Sequence, residues 1–241
     1  GNNYLVLESD RQVQDSTLML ETVDDIVQRS IRMLPKFSSQ DLSNVAWALA
    51  RLLPDTRNES DDSLGVRDVH ELLRGIGKRM QDPRLAVKSH DVSMALWGMA
   101  KLEFFDADIY QGVASRLLSP EITVQCNSQD ISNSLWAMAT AELVIAAKLV
   151  FDTTIVPVSA RDAQPTDPAT TIFGLAAMDM MRRPHRYDSQ HIANILWSFS
   201  KLGIRHPLLF RTMAQHLAGE NKNDARVRGL DEFSTKTLSH T

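Results

Sequence analysis

Between positions 42 and 53, Leu42, Val45, Ala46, Leu49, Ala50 and Leu53 follow the i, i+3, i+4, i+7, i+8, i+11 stripe of an amphipathic helix. That pattern is written four times. Residues 40–50 read Gln40-Asp41-Leu42-Ser43-Asn44-Val45-Ala46-Trp47-Ala48-Leu49-Ala50, and residues 90–100, 129–139 and 190–200 repeat the sentence with Trp97, Trp136 and Trp197 at the same place. A small polar residue opens each copy: Ser39, Ser89, Ser128 and Ser189. Each suits an N-cap, where a side-chain oxygen accepts from an otherwise orphan amide. Asp41, Asp91 and Asp130 then fall in the first turn, where a carboxylate favours the positive end of the helix dipole. Ala46, Ala50, Ala95, Ala100 and Ala139 let a neighbouring helix approach closely. The tryptophans sit beside the stripe, so they are expected to pack as the structural core of the repeat, filling the seam between units.

One amphipathic helix cannot bury its own stripe, so each copy needs a partner helix. The candidates are Arg67–Met80, Ala107–Leu118, Pro168–Met181 and Pro207–Leu217, the last with proline at the first helical position and Gly219 as a stop. Thr17–Leu34 reads as the second helix of a preceding unit. Tryptophan spacings of 50, 39 and 61 residues make 39 the bare unit. Insertions then fall near 54–64, a polar run without apolar period, and near 144–167. The expected organisation is all-α: an α-solenoid of stacked two-helix repeats, with a right-handed superhelix. Residues 1–36 end an incomplete repeat, and four hairpins span about 37–86, 87–126, 127–186 and 187–232. Residues 233–241, in which Phe233-Ser234-Thr235-Lys236-Thr237-Leu238 aligns with Phe37-Ser38-Ser39-Gln40-Asp41-Leu42, begin a truncated fifth. The chain is therefore expected to be part of a longer protein.

Composition narrows this picture. A single cysteine, Cys126, excludes an intramolecular disulfide framework and suits a reducing compartment. The longest apolar stretch, Leu143–Phe151, is interrupted by Lys148 and is too short to span a bilayer, so a soluble protein without membrane insertion is expected. The formal charge of −4 is uneven. Residues 1–66 carry 11 acidic and 6 basic side chains, whereas Arg182 to Arg211 hold six Arg/Lys against Asp188 alone.

The sentence Ser-Gln-Asp-Leu-Ser-Asn-x-x-Trp-Ala-Leu-Ala-Arg/Lys-Leu, at about 38 to 40 residues in its bare form, resembles the octotricopeptide repeat, and the related heptatricopeptide repeats of organellar proteins look similar. The copy at 189–203, which ends Lys201-Leu202-Gly203, matches best, and the resemblance covers most of the chain from Phe37 onward. It implies an α-solenoid that binds single-stranded RNA in a chloroplast or mitochondrion and steers processing, stability or translation of a transcript. Some relatives are instead built into organellar ribosomes. This chain departs from the family in its insertions and its acidic charge.

Helical-repeat RNA binders meet bases with one or two side chains per repeat. The column after each cap reads Gln40, His90, Gln129, Gln190 and Lys236, and these are the base-facing candidates. The next reads Asp41, Asp91, Asp130, His191 and Thr237, for which capping is the stronger reading. Asn44, Asn133 and Asn194 recur, with Met94 and His240 in the same column, and point to a shared structural hydrogen bond. Arg182, Arg183, Arg186, Lys201 and Arg205 are the candidate phosphate contacts, because phosphate binding needs clustered cations. Catalytic motifs are missing: no HExxH, no phosphate loop, no GxSxG, and His185, His191, His206 and His216 lack metal-ligand spacing. A non-enzyme without metal or cofactor is expected. The alternative to RNA binding is a protein-interaction scaffold of the same fold, serving a large assembly such as an organellar ribosome. Inserted loops and the acidic first third fit that alternative.

Overall fold

The computed structural model describes residues 21–53, 64–141 and 172–219, and every regular element among them is helical. Ten α-helices follow one another: α1 (21–33), α2 (Ser39–Leu52), α3 (Leu64–Gln81), α4 (Ser89–Lys101), α5 (Ala107–Ser115), α6 (Pro120–Thr123), α7 (Ser128–Thr140), α8 (Ile172–Arg182), α9 (Ser189–Lys201) and α10 (Pro207–Leu217). The insertion near 144–167, all but the last residue of that near 54–64, and the fifth copy with Lys236 lie outside the described residues. The four tryptophan sentences are α2, α4, α7 and α9.

Those four helices pack in series, α2 on α4, α4 on α7 and α7 on α9, while α3 packs on α5 and α8 on α10 beside them. Small residues make the series possible. Ala46, Ala95, Ala137, Ser43, Ser93 and Ser134 are all buried. Gly98 of α4 lies so close to α2 that a Cβ there would stand 2.8 Å from the carbonyl carbon and oxygen of Ala46. Leucine, isoleucine, methionine and phenylalanine fill the space beneath, in one apolar cluster running from Val23 to Leu217. Within it Phe173 and Phe199 meet edge to face at 5.1 Å.

The helix starts differ from the expectation by one residue. Ser39, Ser89, Ser128 and Ser189 are already helical, and the residues before them, Ser38, Lys88, Asn127 and Asp188, hold the extended N-cap conformation. Apolar period sets which face is buried, but it is blind to a one-residue shift of the first turn. Ser38 and Asp41 form a reciprocal capping box, as do Asn127 and Asp130. Asp188 accepts from the His191 amide at 2.8 Å. Lys88 gives α4 no side-chain cap. The second helix expected over Ala107–Leu118 is likewise shorter: α5 ends at Ser115, a 3-10 turn covers Arg116–Leu118, and α6 follows.

Freed from capping, two of these serines tie neighbouring helices together. Ser39 Oγ of α2 donates to Asp91 Oδ2 of α4 at 2.6 Å, and Ser89 Oγ of α4 donates to Asp130 Oδ2 of α7 at 2.8 Å. Asp91 and Asp130 are 4% and 2% exposed, so these are interior bonds, and a one-residue slip between helices would break them. The second-helix side has its own clamps. Arg116 donates to the Asp82 and Leu85 carbonyls at 3.1 and 2.9 Å, and Tyr110 donates to the Leu96 carbonyl at 3.3 Å.

Candidate functional site

With residues 42, 46 and 49 turned inward on α2, positions 40, 44, 47 and 51 (i, i+4, i+7, i+11) share the opposite, outer face. On α2 these are Gln40, Asn44, Trp47 and Arg51, all exposed. On α4 they are His90, Met94, Trp97 and Lys101; on α7, Gln129, Asn133, Trp136 and Thr140; on α9, Gln190, Asn194, Trp197 and Lys201. His90, Gln129, Gln190, Lys101 and Lys201 are exposed and the others half-buried. Side-by-side packing of the four helices therefore assembles an outer surface with four columns: amide or imidazole; amide, with Met94 on α4; indole; and cation, with Thr140 on α7.

Trp47 departs from the sequence expectation of core packing, whereas Trp136 packs against the apolar cluster as expected. Trp47 is 42% exposed, and Trp97, Trp136 and Trp197 are half-buried, outside the set of fully buried residues. At their angle beside the stripe the indoles lie along the flank of each helix. Trp97 and Trp136, on adjacent helices, have ring centroids 6.5 Å apart at an interplanar angle of 38°. Lys101 Nζ stands 5.3 Å from the Trp136 ring centroid, a cation–π distance.

Gln40, His90, Gln129 and Gln190 do project from the outer face. Gln190 donates to Asn194 Oδ1 at 2.9 Å, and His90 Nδ1 lies 3.2 Å from Asp130 Oδ1. The aspartate column is committed elsewhere. Asp91 and Asp130 are buried in the bonds between helices, and the Ser38 hydroxyl and amide hold the Asp41 carboxyl below its ordinary range. A hydrogen bond common to Asn44, Asn133 and Asn194 is absent among the described residues. Their recurrence marks a surface column.

The arginine cluster divides. Arg183 and Arg186 both turn to Asp179, with Arg186 Nη1 at 3.7 Å, and Tyr187 donates to the other Asp179 oxygen at 2.7 Å. Burial pushes the Tyr187 hydroxyl up to about 12, against the opposing pull of Arg186 and Arg183. Arg182 and Arg205 are exposed. Only Lys201 of the five candidate phosphate contacts belongs to the outer columns; Arg51 and Lys101, four residues after their tryptophans, were missed. The signal was present, since the repeat itself reads Trp-x-x-x-Arg/Lys in three of four copies.

Between α7 and α8 a cavity of about 760 Å³ is lined by apolar Leu117, Ile131, Ile172, Leu175 and Met178 and also by Arg182, Arg183 and Arg186. Among the described residues no three His, Cys, Asp or Glu side chains converge as a metal-binding group, and no helix is long and apolar enough to cross a membrane. In comparisons with known proteins, no family model and no curated protein matches the chain.

Proposed function

We propose that this chain is an RNA-binding α-solenoid of the octotricopeptide type, acting in organellar gene expression on single-stranded RNA and carrying no catalytic activity. The strand lies along the outer columns of α2, α4, α7 and α9. Indoles offer stacking surfaces to unpaired bases, because every base has a π-face, and each stacked base adds roughly 1–3 kcal/mol. Arg51, Lys101 and Lys201 meet phosphates at one helix end, and the Gln/His and Asn/Met columns meet base edges. The observation that carries this reading is the register of the columns: tryptophan recurs at one position of all four helices that pack in series, and a cation four residues later in three of them. An acidic chain binds RNA by this route because the cations are local to the face.

The second reading is a scaffold for a protein partner. What favours it is that Arg183 and Arg186 share the Asp179 carboxylate, which offsets one of their two charges, together with Thr140 where the third copy would need a cation. Fluorescence anisotropy of a labelled, randomised single-stranded RNA pool separates the two. RNA binding requires association at low salt that weakens steeply as salt rises. Absence of binding at low salt would leave the scaffold.

A further inference from the structure

The cavity between α7 and α8 falls at a break in the second-helix side of the molecule. There α3 packs on α5 and α8 on α10, whereas α5 and α8 are not paired in that way. The space over the break measures about 760 Å³. Small-molecule sites occupy about 300–1,000 Å³, with mostly apolar walls and a few placed polar groups. The walls here are Leu117 from the turn after α5, Ile131 of α7, and Ile172, Leu175 and Met178 of α8. Charge at the same cavity is one-sided. Arg182, Arg183 and Arg186 line it against Asp130 and Asp179. Both carboxylates are engaged. Asp179 is shared by Arg183 and Arg186 and accepts from Tyr187, and Asp130 accepts from Ser89, Ser93 and the Asn127 amide. Arg182 is exposed and makes no ion pair among the described residues.

We propose that this cavity binds a small amphipathic carboxylate, its hydrocarbon body on Leu117, Ile131, Leu175 and Met178 and its head group on Arg182. A guanidinium takes a carboxylate through two parallel hydrogen bonds, and one unpaired guanidinium matches one negative charge. A polyphosphate would set further charge against the apolar walls, which favours the monoanion. The site is separate from the outer columns, because Ile131 and Ser134 of α7 line the cavity while Gln129, Asn133 and Trp136 stand on the outer face. Residues 142–171, which join α7 to α8 and include the apolar Leu143–Phe151, are the competing occupant. That stretch carries Lys148 in its middle, a fourth cation where the arginines call for an anion.

The test titrates the full chain with dodecanoate, dodecanol and dodecylammonium, each below its micellar concentration, by calorimetry and by thermal midpoint. Dodecanoate should saturate at one molecule per chain and raise the midpoint, because it binds the folded state alone. Dodecanol should bind about tenfold more weakly and dodecylammonium not at all. Arg182→Gln should weaken dodecanoate about tenfold and leave dodecanol unchanged, a split that a general loss of structure would not produce. Leu175→Trp, at a half-buried wall position, should abolish binding of both by filling the space while the parent midpoint is kept. Equal affinity for all three probes, or a dodecanoate affinity indifferent to Arg182→Gln, would reduce binding to unspecific apolar adsorption and overturn the proposal. Absence of binding to the parent would also overturn it. Binding that appears only when Leu143, Leu149 and Phe151 are changed to serine would assign the cavity to this chain's own segment instead.

Discussion

Asp130 carries more of the interior than any other polar side chain on the helix series. It accepts from Ser89 Oγ at 2.8 Å, Ser93 Oγ at 3.3 Å and the Asn127 amide at 3.2 Å, and it lies 3.2 Å from His90 Nδ1. Removing the carboxylate leaves buried donors without an acceptor, which costs more than the bonds themselves. Asp130→Ala is expected to lower stability by about 3 kcal/mol, measured by urea denaturation, and Ser89→Ala by about 1 kcal/mol. Equal effects of the two would mean that the Ser89 bond dominates. Cys126 sits beside the same carboxylate. Burial first, and the Asp130 charge second, push its thiol up to about 11, against a smaller opposing contribution from Ser89. The thiolate is the reactive form, so iodoacetamide at pH 8 should label the folded chain about 100-fold more slowly than the unfolded chain. Because the folded thiol ionises later than the unfolded one near 9, its contribution to stability is complete below pH 9. It declines as pH rises from 9 to 11, where the unfolded chain releases the proton first.

At the scale of the helix, two opposing demands meet at Gly98. Glycine in a helix interior costs roughly 1 kcal/mol relative to alanine, so propensity alone favours Gly98→Ala. Against that stands the α2 backbone at Ala46, 2.8 Å from any Cβ added there, which cannot turn aside as a side-chain tip can. The close approach wins. Gly98→Ala is expected to lower the thermal midpoint, with a net cost of about 1 kcal/mol, and Gly98→Val about 3 kcal/mol. An unchanged midpoint for the alanine variant would mean that α2 and α4 separate freely. The other copies carry Ala48, Ala137 and Ser198 at this position. Gly203, with φ of +68°, closes α9 in the left-handed region and accounts for the Lys-Leu-Gly ending of that copy.

For the whole molecule the question is where charge faces. If the outer columns hold the strand, reversing Arg51, Lys101 and Lys201 together to glutamate should abolish most RNA affinity. Neutralising the same three to glutamine should reduce the slope of log K against log salt by about 2, at roughly 0.7 per phosphate contact on a single strand. Reversing Arg183 and Arg186 should have the smaller effect on binding, because both already face Asp179, and the larger effect on stability. The opposite ranking would move the interface to the α8 side of the molecule.

The helical class, the four tryptophan helices and the partner helices near 67–80 and 207–217 were legible in the sequence, because burial of an apolar stripe imposes a 3.6-residue period that needs no knowledge of neighbours. The sequence by itself also determined which positions stay outward: Gln40, His90, Gln129 and Gln190 stand opposite the stripe whatever packs beneath. Tertiary structure decided the rest. Whether a flanking tryptophan is sealed in a seam or left half-open depends on how closely the next helix approaches, and that distance is set by Gly98, Ala46 and the buried serines acting across the interface. Ser39 and Ser89 read as caps in one dimension because the same hydroxyl suits either use. Only with α4 and α7 in place do Asp91 and Asp130 offer them a partner 41 to 52 residues away, and a bond across that separation leaves no period in the chain.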